Sequence, residues 1–121
     1  MTRVRKDPSD LIPLKQSTYQ VLLALGDEEL HGYAVMQELS EMTAGREAIL
    51  PGTLYAALAR MVDEGLVEVR ESADDEASGG PKRRYYKRTS FGRDVARVES
   101  ERLRALLDIA HTQKILKRTT K

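Results

Sequence analysis

Hydrophobic positions fall into three stretches of helical period, one alternating stretch, and a long final stripe. From Leu14, the residues Val21, Leu22, Leu23 and Leu25 form an apolar run of helical length that stops at Gly26-Asp27. His31-Gly32 punctuates the next start. Val35, Met36, Leu39 and Met42 then recur at helical spacing, and Thr43-Ala44-Gly45 ends that helix. Pro51 opens a third helix, because proline fits a first turn where no amide donor is needed. Leu54, Leu58, Met61 and Val62 give it one apolar face, and Gly65 stops it. Leu66 to Arg70 alternates with period two and reads as a strand. A polar, acidic, glycine-containing loop from Ser72 to Pro81 leads to a return strand at Arg84-Tyr85-Tyr86-Lys87. Thr89 is placed to cap a last helix, whose stripe is Phe91, Val95, Val98, Leu103, Leu106, Leu107 and Ala110.

This order predicts a mainly α fold with a small β-hairpin, a winged helix-turn-helix followed by a dimerisation helix. The expected divisions are a flexible basic arm over residues 1–12 (Arg3, Arg5 and Lys6, with Pro8 opposing helix), a winged-helix domain over 13–88, the dimerisation helix over 89–113 and a basic tail over 114–121. A chain of 121 residues suffices for one domain. The C-terminal stripe looks too long to be buried on a three-helix domain that already uses its own apolar faces. Val95, Val98, Leu103, Leu106, Leu107 and Ala110 are therefore expected to pair two copies into a homodimer.

The net charge of +1 points to no partner, but the charges are segregated. Lys82, Arg83, Arg84, Lys87 and Arg88 crowd into seven residues without one acid, interleaved with Tyr85 and Tyr86. A basic, aromatic strand pair just after a candidate recognition helix is what a wing laid along a phosphate backbone needs. A solvated charge run has the same composition. One of the two tyrosines should be core and the other free to reach DNA, since they alternate across the strand.

The third helix presents Thr53, Tyr55, Ala56, Ala59 and Arg60 opposite its apolar face, with no acid until Asp63. Hydroxyls and small side chains near a helix start can enter a major groove, and the open amides there suit a phosphate. An ordinary amphipathic helix in a small bundle would show the same period.

Three stretches together resemble the signature of PadR-family transcriptional regulators. They are His31-Gly32-Tyr33; Pro51-Gly52-Thr53-Leu54-Tyr55 with Leu58, Arg60, Glu64, Gly65 and Leu66; and Arg84-Tyr85-Tyr86 with Thr89 and Gly92. The resemblance covers roughly residues 14–110. It implies a winged helix, a homodimer, an inverted-repeat operator, and repression relieved by a small aromatic effector. By position it makes Tyr33, Gly52, Thr53, Tyr55, Ala56, Arg60, Lys82, Arg83 and Arg84 the DNA-binding residues. It also puts an effector site near Leu22, Leu103 and Leu107, between the paired helices and the DNA-binding domain. Arg88 stands where the family usually has an apolar residue. It either turns outward into the basic patch or covers the core with its stem. Short members hold flat aromatic compounds between tryptophans, and this chain has none.

Other chemistry is poorly served. Without cysteine there is no disulfide, thiolate nucleophile or cysteine zinc site. His31 and His111 lie in different elements and no nucleophile, base and orienter cluster, so no enzyme is expected. His31 suits capping or packing. No cofactor is expected, and Asp74, Asp75 and Glu76 suit a solvated loop tip better than a metal. No apolar run is long enough for a membrane span, which predicts a cytoplasmic protein with no membrane partner. A winged helix that binds protein and not DNA is the rival reading.

Overall fold

The structure is a computed structural model and describes residues 7–71 and 83–117. Its helices are α1 (Gln16–Leu25), α2 (Gly32–Met42), α3 (Pro51–Asp63) and α4 (Ser90–Thr112). Its strands are β1 (Leu30–His31), β2 (Val67–Glu71) and β3 (Arg84–Arg88). The sheet is antiparallel in the order β1-β3-β2, with Leu30 opposite Tyr86 and Val67 opposite Arg88. The predicted helices and both hairpin strands are thus present, and β1 adds a third strand to the expected pair. Among the described residues, no helix is long and apolar enough to cross a membrane.

The core forms where the helical stripes meet. Leu22 and Leu25 of α1, Val35 and Leu39 of α2, and Leu54, Leu58 and Met61 of α3 are buried together with Leu66, Val67 and Tyr86. At about 25 cal/mol per Å² of apolar surface, each such side chain contributes roughly 1.5–3 kcal/mol on leaving water. Leu22, Leu54, Leu58 and Met61 are fully enclosed and fix how α3 crosses α1.

Local chemistry ends each helix where the pattern predicts. After α3, Gly65 takes φ +79°, a conformation that disfavours any side chain. Its amide donates to the carbonyl of Val62 at 3.1 Å, and that of Leu66 donates to Met61 at 2.9 Å. These two bonds close the helix end and turn the chain directly into the wing. At the far side of the wing, the Thr89 hydroxyl accepts from the amide of Gly92 at 2.9 Å, capping α4. The same hydroxyl lies 2.6 Å from the carbonyl of Gly65, and the Thr89 amide donates to the carbonyl of Leu66 at 3.1 Å. Gly92 packs so closely on that Leu66 carbonyl group that a Cβ would lie 3.0 Å from its carbon and closer still to its oxygen.

The structure corrects three expectations. Residues 8–12 are not part of a flexible arm: Pro8–Leu11 form a 3-10 turn, capped by the Asp7 carboxylate on the Ser9 amide at 2.9 Å, and Leu11 and Ile12 pack on the core. Arg3, Arg5 and Lys6 lie outside the described residues. Val95 is fully buried in this chain's own core and is not available to a partner. The first half of α4 packs onto the domain through Gly92, Val95, Ala96 and Glu99. Leu22 is likewise fully buried and cannot line an effector cleft.

Glu99 is a carboxylate inside that joint, only 3% exposed. Arg102 grips it with two hydrogen bonds, at 2.9 and 2.8 Å, and the Leu14 amide also donates to it. Arg102, chiefly through those hydrogen bonds, holds the carboxyl below the usual glutamate range against the opposing effect of burial. Beside it, the Tyr19 and Ser100 hydroxyls meet at 2.7 Å; Ser100 gives its own proton to the Ala96 carbonyl, so Tyr19 is the donor. The start of α1 and the middle of α4 are therefore joined by polar groups that satisfy one another.

Two outcomes follow for stability. Gly92→Ala lowers it by about 1–3 kcal/mol, the usual cost of a methyl forced into packed structure, measurable by denaturant titration. Glu99→Gln also destabilises, and its gap to the wild type depends on pH. A lowered folded pKa contributes stability that is complete above the ordinary glutamate value near 4.5 and is lost as pH falls through the lower folded value. The gap in thermal midpoint should therefore be constant above that value and close on further acidification.

Candidate nucleic-acid interface

Three elements converge beside α3. The first turn of α2 brings His31, Gly32 and Tyr33; the first turns of α3 bring Tyr55; the start of β3 brings Arg83, Arg84 and Tyr86. These seven residues line one open groove of about 700 Å³. Four of them, Tyr33, Tyr55, Arg83 and Arg84, are residues the sequence nominated for DNA binding. His31, Gly32 and Tyr86 were not nominated, although two of them belong to the same motif as Tyr33.

The helix starts explain the placement. His31 caps α2: its Nδ1 accepts from the Ala34 amide at 3.3 Å. A side-chain acceptor at this position satisfies one of the donors that every helix start leaves open. Leu50 precedes Pro51 in α3 and makes no side-chain cap. Neither α2 nor α3 has an acid in its first turn. The positive end of each helix dipole is thus left uncompensated by local carboxylates.

The nominated residues on α3 do not all share the groove. Gly52, Thr53 and Ala56 are exposed on the outer face but do not line it, and Arg60 is half-buried in the last turn. Gly52 has no neighbour within 4 Å of the place a Cβ would occupy and no positive φ. Among the described residues, nothing therefore requires a glycine there. Lys82 and the acids Asp74, Asp75 and Glu76 lie outside the described residues.

Of the two wing tyrosines, one is core as the alternation predicts, but the other does not line the groove. Tyr86 is buried and Tyr85 half-buried. Tyr85 meets the edge of the His31 ring, with centroids 6.1 Å apart, and carries the Arg70 guanidinium 5.0 Å from its own centroid. Arg70 is in turn held by Glu29 through two bonds, at 3.0 and 2.9 Å, which lower the Glu29 carboxyl pKa. This stack ties β1, β2 and β3 together at the root of the wing. Arg84 lies 3.7 Å from Glu71 across the hairpin.

Arg88 settles differently from an outward addition to the basic patch. Its guanidinium turns inward and donates to the Leu22 carbonyl and to Asp27, both at 2.9 Å, with its side chain only 14% exposed. It closes the C-terminal end of α1, where a cation is favoured by the helix dipole. The basic patch is smaller than the sequence count by this one residue.

Comparison with known proteins agrees with this architecture. Residues 21–98 match the model of the transcriptional regulator PadR-like family, more than half of the chain. Uncharacterized protein X of Lysinibacillus sphaericus is 34% identical over 73 residues, which is 60% of this chain and 64% of that relative's length. The crystal structure of a PadR family transcription regulator from Clostridium difficile is 25% identical, with a TM-score of 0.63 over 81% of this chain and 97% of that one. Bacillus subtilis PadR, solved in complex with operator DNA, shares the fold at 18% identity, with a TM-score of 0.59 over 88% of this chain and 52% of that one.

The cap on α2 is open to a direct check. His31→Ala should cost about 1 kcal/mol of stability, the usual value of a side-chain N-cap, while His31→Asn should keep most of it. Chemical denaturation of the three proteins measures the difference.

Proposed function

The chain belongs to the PadR-like family of transcriptional regulators, and on that premise we propose that it represses transcription as a homodimer on an inverted-repeat operator. The observation that carries the reading is the groove in which Tyr33, Tyr55, Arg83 and Arg84 meet beside two helix starts free of acids. Tyrosine hydroxyls, arginines and helix-start amides are the groups that hold phosphate oxygens. The outer face of α3, with Thr53, Tyr55 and Ala56, enters the major groove and reads base edges. Arg60 reaches the backbone from the helix end. Gly52 supports this geometry, because a bare Cα with open space above it permits a close approach by DNA.

Pairing of two copies falls to the second half of α4. Leu106, Leu107 and Ile109 are each about half exposed there. Leu103, Leu106, Leu107 and Ala110 follow one another at the spacing of a helix–helix seam. Val98 is half-buried at the border of the protomer core. A contiguous exposed apolar stripe on a charged helix is the usual mark of an association surface. Pairing there can set two α3 helices about 34 Å apart, the spacing of successive major grooves. A flat aromatic effector resting on Leu103 and Leu107 acts by favouring a dimer with another spacing; a compound with equal affinity for both arrangements shifts nothing.

Two experiments test the reading. An operator selected from random-sequence DNA should bind with an affinity that falls steeply with salt. Tyr55→Ala should abolish the preference for that sequence, whereas Arg83→Ala should weaken all DNA binding and reduce the salt slope by about one unit. Fluorescence anisotropy distinguishes these effects. A chain that retains no DNA, and instead captures protein, would support the protein-binding alternative. In sedimentation at micromolar concentration, the wild type should be a dimer and Leu106→Arg a folded monomer.

A further inference from the structure

Gly32 is the first residue of α2 and is buried, yet its backbone gives no reason for a glycine. Its φ is not in the left-handed region, and alanine is the better helix former by about 1 kcal/mol in a helix interior. The reason lies in space. A Cβ placed on Gly32 would fall 2.6 Å from two carbons of the Tyr55 ring and closer still to its hydroxyl oxygen, and these three Tyr55 atoms are its nearest neighbours. The ring of a tyrosine from the start of α3 therefore rests on the bare Cα at the start of α2. Tyr55 is nonetheless 47% exposed, so water and a ligand still reach it.

We propose that Gly32 is a positioning residue for DNA recognition: it is the seat that holds the Tyr55 phenol inside the groove. This rests on the reading that Tyr55 contacts DNA. An exposed tyrosine at the end of an open helix turn would otherwise sample several rotamers, and ordering it on binding would cost affinity. The seat spends that entropy during folding. Because Gly32 and Tyr55 both line the groove with Arg84 and Tyr33, the hydroxyl is held in place beside the other groups of the proposed DNA-binding surface. A side chain at position 32 does not need to disturb backbone, since the atoms it displaces are the far end of an exposed side chain. Tyr55 simply swings out.

The test is a double-mutant cycle read by operator affinity, using DNA selected on the wild-type protein. Gly32→Ala should stay folded, with a thermal midpoint within a few degrees of wild type, and should bind operator about tenfold more weakly, the scale of one lost contact. In a Tyr55→Ala background the same Gly32→Ala change should have no further effect. The Tyr55 ring resonances should also shift in Gly32→Ala, which a change elsewhere in α2 would not produce. The proposal is overturned if Gly32→Ala binds like wild type, or if it weakens binding equally with and without Tyr55. An unfolded Gly32→Ala chain overturns it too, because the contact would then support the fold and not aim the phenol. If the wild type selects no DNA at all, it is the DNA-binding reading that falls. If DNA binds and Tyr55→Ala is silent, Tyr55 has nothing to be positioned for.

Discussion

The fold turns on a single carbonyl group. Leu66 C=O receives the Thr89 amide and lies 3.1 Å from the Thr89 hydroxyl, and the bare Cα of Gly92 is packed against it. Leu66 ends the turn from α3, and Thr89 begins α4. The bond therefore closes the wing as a loop and fixes the start of the last helix to the end of the third. Because a buried carbonyl left without a partner costs more than a hydrogen bond contributes, this joint has few alternatives. The helix proposed to face DNA and the helix proposed to pair two copies are thereby linked through one short hydrogen-bonded joint.

Much of this was legible from residue patterns, and the legible part was local. Gly65, Pro51 and Thr89 each impose a backbone event within four residues of themselves, so the ends of α3 and the start of α4 read correctly. The chemistry of His31-Gly32-Tyr33 and Pro51-Gly52-Thr53-Leu54-Tyr55 put two of the groove's three walls on the page before any fold. What did not read were contacts between distant segments. A two-residue strand such as β1 has no period to detect. The inward turn of Arg88 depends on Leu22 and Asp27, more than sixty positions away in sequence. Nothing local marked Glu99 as a buried carboxylate, since Leu14, which donates to it, arrives from the other end of the chain.

Val95 in the α4 stripe was misassigned for a related reason. A helical period states which residues share a face, not whose core that face enters. Val95 and Leu106 continue one pattern, yet the first is sealed within the domain and the second stands half in water. Charge showed the same limit. Arg88 counted toward a basic surface, but Asp27 and the Leu22 carbonyl engage it within the chain.

The division of α4 has an evolutionary consequence. Up to about Glu99 each inward residue of the helix is constrained by packing, and substitutions there threaten the whole domain. Beyond Leu103 the side chains touch little of their own chain. That part can change sequence, lengthen or acquire a following helix without loss of fold. The half of the helix held by packing and the half released from it meet at the Glu99–Arg102 pair.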